Sequence, residues 1–387
     1  MNILYIADPK AADGCYYYRN FLPALYLKAS KLADVFVNNK FQVKKDIDKK
    51  TGVEHKYIDV TSLVWADIVI LSRYYYNPGY IGSEDQDTFL KLLVEATKAA
   101  GKKIVYEVDD DLFNVPTDNP VSEHAIKARE VVLHIMEYCD AYTVTTERLG
   151  AYLNTFFKKP TYALPNSLEL FKFQAEPENM QGLGKELRVA LKVLGPKKEG
   201  IVRIGWAGGR THQLDLLSIM PALKWAKKEF PNIEIVTLCN KEMDNLFEFP
   251  HKNIPVVLST IYPEILTSLN LDIGLCPLLE RDFNKHKSPV KWEEYTAAGA
   301  SVIYSDTPPY SDFITAGKTG YSAIPLASDT TKEDVVESWK IALRVLIETP
   351  DMRKKLTKNA SRVVGQKFNM ELNVLGWARA YQNILNQ

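Results

Sequence analysis

Lys287, Ser288, Lys291 and Glu294 fall in a single run, Arg281 to Asp306, that reads as a polar loop, a short helix over about 288–298, a stop at Gly299 and a buried strand over 301–305. Spacing of three and four residues puts Lys291, Glu294 and Ala298 on one face of that helix, so a cation and a carboxylate point the same way. The loop, with His286, Lys287 and Ser288, delivers backbone N–H groups to a helix start, where first-turn amides lack intrahelical partners and the helix dipole favours an anion. A cation for phosphate beside a carboxylate for paired hydroxyls is the chemistry of a nucleotide-sugar site. On this segment alone the competing account is a solvated helix face with a weak ion pair.

A second glycine turn strengthens the first account. The strand-like stretch Ile201 to Ala207 is followed by Gly208, Gly209, Arg210, Thr211 and His212, then by a helix to about Phe230. Arg210 and His212 at such a turn again suit an anion. A lone His is usually structural, but His212 stands beside Arg210 with another such turn downstream, and it reads as a ligand contact. In the first half, a strand over 2–7 leads through a loop to Gly14 and a helix over about 16–32 that carries Tyr17 and Arg19 at its start. The strand over 67–72 ends in Arg73 and three tyrosines. These tyrosines are equally readable as half-buried packing. The strand over 103–108 ends in Asp109, Asp110 and Asp111, which suit a hard cation, a helix cap or sugar hydroxyls.

Strands and helices alternate along the whole chain, which argues an α/β class with parallel sheets. Further strands are expected over 141–145, 161–164, 233–238, 256–258 and 272–276, and helices over 83–100, 120–138, 146–157, 262–269, 332–347, 351–364 and 370–386. The first of these helices opens with a capping-box arrangement, Ser83 to Gln86. At 387 residues two domains are expected, joined by 174–200, a stretch rich in Glu, Lys, Gly and Pro. No G-x-G-x-x-G follows the first strand, so a dinucleotide site is weakly supported.

Glu294-Tyr-Thr-Ala-Ala-Gly299, with Val302 and Ser305-Asp306 behind it, resembles the donor signature of retaining GT-B glycosyltransferases, family 4 in particular. Gly208 to Asp215 resembles a "G-(G/S)-x-T-H-x-x-D-L" form of the family's phosphate loop, and Lys287 to Tyr295 a "K-S-x-x-K-(F/W)-x-E-Y" variant. Pro165-Asn166-Ser167 looks like the exit from the family's first domain, and 308–321 like its closing motif. The resemblance implies two doubly wound parallel-sheet domains facing a cleft, an acceptor domain over 1–175 joined by a returning helix over 368–387, and a donor domain over 200–365. Trp377 and Tyr381 would be the packing residues of that helix.

It also implies retaining transfer of a sugar from a nucleotide diphosphate. Glu294 would hold the ribose, and Arg210, His212, Lys291 and the amides of Lys287 and Ser288 would grip the diphosphate. Gly14, Gly208, Gly209 and His286 would complete the donor surface; His286 stands where the family has a second Glu. Tyr17, Arg19, Arg73, Asp109 and Asp110 would serve the acceptor, one aspartate assisting its deprotonation. No cofactor or metal is implied.

The 48 basic and 48 acidic side chains balance, so no global field draws the chain to nucleic acid or membrane. No apolar run is long enough to span a bilayer, and Cys15, Cys139, Cys239 and Cys276 are scattered like buried thiols, which suits a protein of the cytoplasm. A glycan or lipid-linked glycan is the first expectation for the acceptor. Hydroxylated DNA is the alternative, motivated by the lysines of 40–56 and the aromatic–Arg groups at 16–19 and 73–76. A silent nucleotide-sugar binder and a sugar-nucleotide epimerase are the other readings.

Overall fold

The computed structural model describes residues 1–387 apart from 7–13, 39–42, 59–60, 73–82 and 175–183. The chain divides into two compact units, Met1–Asn166 with Met370–Gln387, and Ser167–Asn369.

The first unit contains β1 (Asn2–Ile6), β2 (Asp34–Asn38), β3 (Val43–Ile47), β4 (Glu54–Ile58), β5 (Ile68–Ser72), β6 (Lys103–Val108), β7 (Ala141–Val144) and β8 (Thr161–Ala163). Six of these form a parallel sheet in the order β2-β1-β5-β6-β7-β8. The strands read as apolar runs because helices cover a parallel sheet on both faces; every residue of β5 is buried. Leu90, Leu93, Val132 and Met136, from the helices Ser83–Ala99 and Ser122–Tyr138, pack with Leu4, Val69 and Ile104 of the strands. The lysine-rich run became an antiparallel hairpin of β3 and β4, its turn closed by Asp48 accepting from the Lys50 amide at 2.7 Å.

The first helix is not uniform. A π turn over Tyr17–Phe21 separates Gly14–Tyr16 from Leu22–Ala29. The helix Met370–Leu385 returns to this unit, with Tyr381 hydrogen-bonded to Tyr5 between hydroxyls at 3.0 Å and Trp377 buried.

The second unit contains β9 (Val202–Ala207), β10 (Ile233–Leu238), β11 (Lys252–Ile254), β12 (Ile273–Cys276), β13 (Ser301–Ser305) and β14 (Tyr321–Ala323), parallel in the order β11-β10-β9-β12-β13-β14. Two expectations are corrected here. The stretch 174–200 is not wholly a linker: the helix Gly184–Leu194 buries Leu187, Ala190 and Leu194 on this unit. The strand placed at 256–258 lies instead at 252–254; Pro255 has no N–H to give a ladder, and Val256 and Leu258 are exposed. The edge strands β2 and β14 were not anticipated.

Candidate functional site

In a doubly wound sheet ligands bind beyond the carboxyl ends of the strands, where the order of connection reverses. In the second sheet that point lies between β9 and β12. β9 ends at Ala207, and the chain turns through Gly208 and Gly209 into a short 3-10 segment, Arg210–His212, and the helix Gln213–Glu229. The helix Val290–Ala297 lies against this turn: the Lys291 ammonium donates to the Ala207 carbonyl at 2.6 Å, and the Ala207 amide donates to the Tyr295 hydroxyl at 2.7 Å. Gly208 is glycine for a steric reason. A β-carbon there would sit 2.7 Å from the Trp206 ring and 3.2 Å from the Lys291 nitrogen. Gly274 of β12 likewise lets the Tyr295 ring pass, since a β-carbon would come within 2.4 Å of it.

His212 Nδ1 meets the Asp215 carboxylate at 2.8 Å, and the other Asp215 oxygen accepts from the Leu279 amide at 2.9 Å. Burial, then the nearby charge of Lys291, brings the His212 pKa down to about 4, against the pull of Asp215. Burial works against ionised Asp215, but the bonds from His212 and Leu279 and the charge of Lys287 hold it below its ordinary value. The Lys291 ammonium is pulled down by burial, while Glu294 favours its charge.

Glu294, nearly buried, accepts from the Tyr262 hydroxyl at 3.3 Å. Burial and the charge of Glu294 keep Tyr262 protonated, so the phenol is the donor. Neighbouring Glu293 is fully buried and neither of its oxygens has a hydrogen-bond partner; burial, with the charge of Glu294, raises its pKa well above the ordinary value.

Arg210, Lys287, His286 and Ser288 are the remaining donor candidates. Arg210 is exposed and ion-paired with Glu242 at 3.3 Å. The Lys287 amide donates to the Asn284 carbonyl at 3.2 Å, because the short helix Asp282–Lys285 ends there, and so does not face outward for a phosphate. His286 is the half-buried cap of that helix, beside Ser288, which is also half-buried. Asp215, Tyr262, Tyr295 and Asn284, which donates to the Leu279 carbonyl at 2.9 Å, were not among the expected site residues. Asp215 and Tyr295 had a signal, since each falls in one of the two motifs matched at the glycine turn and the helix beside it; Tyr262 and Asn284 had none.

In the first unit Arg19 is 2% exposed, paired through Nε with Glu107 at 2.7 Å, and stacked over the Trp377 ring at 4.8 Å. It also donates to Asn166 at 3.2 Å and to the Leu164 carbonyl, and Glu107 accepts from Thr143. An acceptor contact by Arg19 is therefore corrected: its donors are committed inside the unit. Tyr17 is 3% exposed and stacked with Phe21, and Tyr18 is 6% exposed, while Tyr16 is half-buried. Asp111 caps the turn after β6, accepting from the amides of Phe113 and Asn114. Asp109 is nearly buried, Asp110 half-buried and Gly14 exposed. Arg73 lies outside the described residues. Among the described residues no group of three or more His, Cys, Asp or Glu is placed to hold a metal ion, and no helix is long and apolar enough to cross a membrane.

No family model matches the chain, and no curated protein matches it in sequence. Solved structures do match. HepE from Anabaena, in complex with UDP and glucose, is 12% identical with a TM-score of 0.65 over 99% of this chain and 100% of that one. Sucrose-phosphate synthase from Thermosynechococcus elongatus is 14% identical, TM-score 0.61, and a glycosyltransferase from Rickettsia africae 14% identical, TM-score 0.60, each match covering 100% of this chain and 99% of the other. The chain has the GT-B fold.

Proposed function

We propose that this protein is a glycosyltransferase that takes a sugar from a uridine-diphosphate sugar and passes it to an acceptor hydroxyl with retention at the anomeric carbon. The observation that carries the reading is the seating of Lys291 on the glycine turn at the second sheet's switch point, with Glu294 one turn of helix further on. A solved structure of the same fold holds UDP and glucose, which supports the uridine donor.

The leaving group in such a reaction is a nucleotide diphosphate, so catalysis rests on stabilising its developing charge. Lys291 and His212 are the groups that meet it. Arg210 joins them by exchanging Glu242 for phosphate. Glu294, oriented by Tyr262, accepts from the ribose hydroxyls. In the first unit Asp109 and Asp110, at the carboxyl end of β6, serve the acceptor hydroxyl and its proton. The acceptor is a glycan or lipid-linked glycan; the inward turn of Tyr17 and Arg19 removes part of the motive for DNA.

Incubation with a panel of nucleotide sugars, followed by assay for free nucleoside diphosphate, tests the reading. UDP release that rises when glycan acceptors are added is expected. A protein that binds UDP-sugars but releases no UDP is a silent binder, and one that converts the sugar while it stays attached is an epimerase. Transfer to hydroxymethylated DNA and not to glycans would replace the acceptor.

A further inference from the structure

His212 sits between a buried carboxylate, Asp215, which favours its protonated form, and Lys287 and Lys291, which oppose it. Its Nδ1 is 2.8 Å from Asp215, which is buried and fixed from behind by the Leu279 amide. With Nδ1–H given to that carboxylate, a neutral ring presents a lone pair at Nε2. A lone pair repels a phosphate oxygen, whereas an imidazolium N–H bonds to it. We propose that His212 is neutral in the free protein and takes up one proton from solvent at Nε2 when the donor's diphosphate enters, so that anion and proton bind as one linked event anchored on Asp215.

The groups around the ring set this balance. Lys291, on the helix Val290–Ala297, and Lys287, in the loop before it, oppose the charge, and Asp215, on the ring's own side, favours it. Arg210, two residues back, is neutralised by Glu242 from the helix Lys241–Asp244. With the ring mostly withdrawn from water, a fifth of it staying exposed, its pKa in the free protein lies below the ordinary value. A diphosphate reverses the sign of the local field, compensating Lys287 and Lys291 and leaving Asp215 to hold the imidazolium. This rests on the donor reading of the site.

Calorimetry with UDP-glucose, whose diphosphate does not titrate near neutrality, tests it in two buffers of different ionisation enthalpy. The wild type should show buffer-dependent heat equal to about one proton taken up per site, and affinity rising by up to about tenfold per unit as pH falls. His212→Gln should bind more weakly, with buffer-independent heat and a flat pH profile. Asp215→Asn, which keeps an oxygen for Leu279, should show uptake below that of the wild type, and carries the test should His212→Gln not fold. Buffer-independent heat in the wild type, or uptake that persists in His212→Gln, overturns the proposal while leaving the donor reading intact. Failure of both UDP and UDP-glucose to bind removes both.

Discussion

Ala207 and Tyr295 are joined by a hydrogen bond from the backbone amide of one to the hydroxyl of the other at 2.7 Å, and Lys291, four residues before Tyr295, takes the carbonyl of the same Ala207. One helix thus holds both polar groups of the residue at which β9 becomes the glycine turn. Residues four apart share a helix face, so the grip needs no distortion. The cation of the site is therefore positioned by the same contact that shapes the turn.

Lys291→Met should keep the fold but lower turnover about 10²–10³-fold, the size of effect seen when one donor to a developing anion is removed. Lys291→Arg should not restore it, since a planar guanidinium does not replace a compact ammonium 2.6 Å from a carbonyl. Steady-state rates of UDP release check this; turnover near wild type in Lys291→Met would take the residue out of the reaction.

Glu294→Ala should weaken UDP binding by about 1–3 kcal/mol, through loss of charge-assisted bonds to ribose. Tyr262→Phe, which leaves the carboxylate in place but removes the phenol's bond to it, should cost about 0.5–1.5 kcal/mol. Titration with UDP and with its 2′,3′-dideoxy analogue separates the roles: both losses should shrink with the analogue. Equal losses for the two ligands would mean the pair does not read the ribose.

Glu293→Gln should change how stability depends on pH. The folded-state pKa of Glu293 is raised by burial, so its unfolded form ionises first as pH rises. Stability is then full below the ordinary carboxylate value and declines as pH climbs towards the raised one, by about 1.4 kcal/mol per unit. The variant should lack this decline and melt higher than the wild type above neutral pH, the gap closing in acid. Parallel melting curves across that range would show Glu293 to be paired or hydrated.

Glu107→Ala should destabilise the first unit by about 3–5 kcal/mol, because it strands the buried guanidinium of Arg19. Arg19→Met combined with Glu107→Leu should recover most of that loss. Denaturant unfolding of the three proteins decides it; a double variant no better than Glu107→Ala would mean that the pair specifies the fold around Trp377 and Asn166 rather than balancing charge.

Much of the fold was legible because the strands of a doubly covered sheet are unbroken apolar runs: 103–108, 233–238 and 301–305 were placed to the residue. Failures came where local pattern and tertiary role part. The helix Gly184–Leu194 hides three buried residues among Glu, Arg and Lys, so composition outweighed periodicity. Of the site, Lys291, Glu294, His212 and the two glycines stand out by type and spacing. Arg19 did not show its inward course, since a π turn and a partner 88 residues away decide it. Tyr262 looks like any core tyrosine until its hydroxyl partner is known.

The helix Gly184–Leu194 also limits how the protein can be cut. The C-terminal end of this helix is tied to the sheet, with Lys252 of β11 donating to the Leu194 carbonyl at 2.6 Å and Arg203 of β9 to that of Gly195 at 3.1 Å, both cations sharing Glu234. A recombinant second half beginning at the first strand, near Ile201, would lose the cover over its apolar surface and leave these cations without their carbonyls. One beginning at Ser167 keeps them. For anyone dissecting the protein, the usable seam lies upstream of this helix, and a fragment started at the strand would aggregate for reasons unrelated to its chemistry.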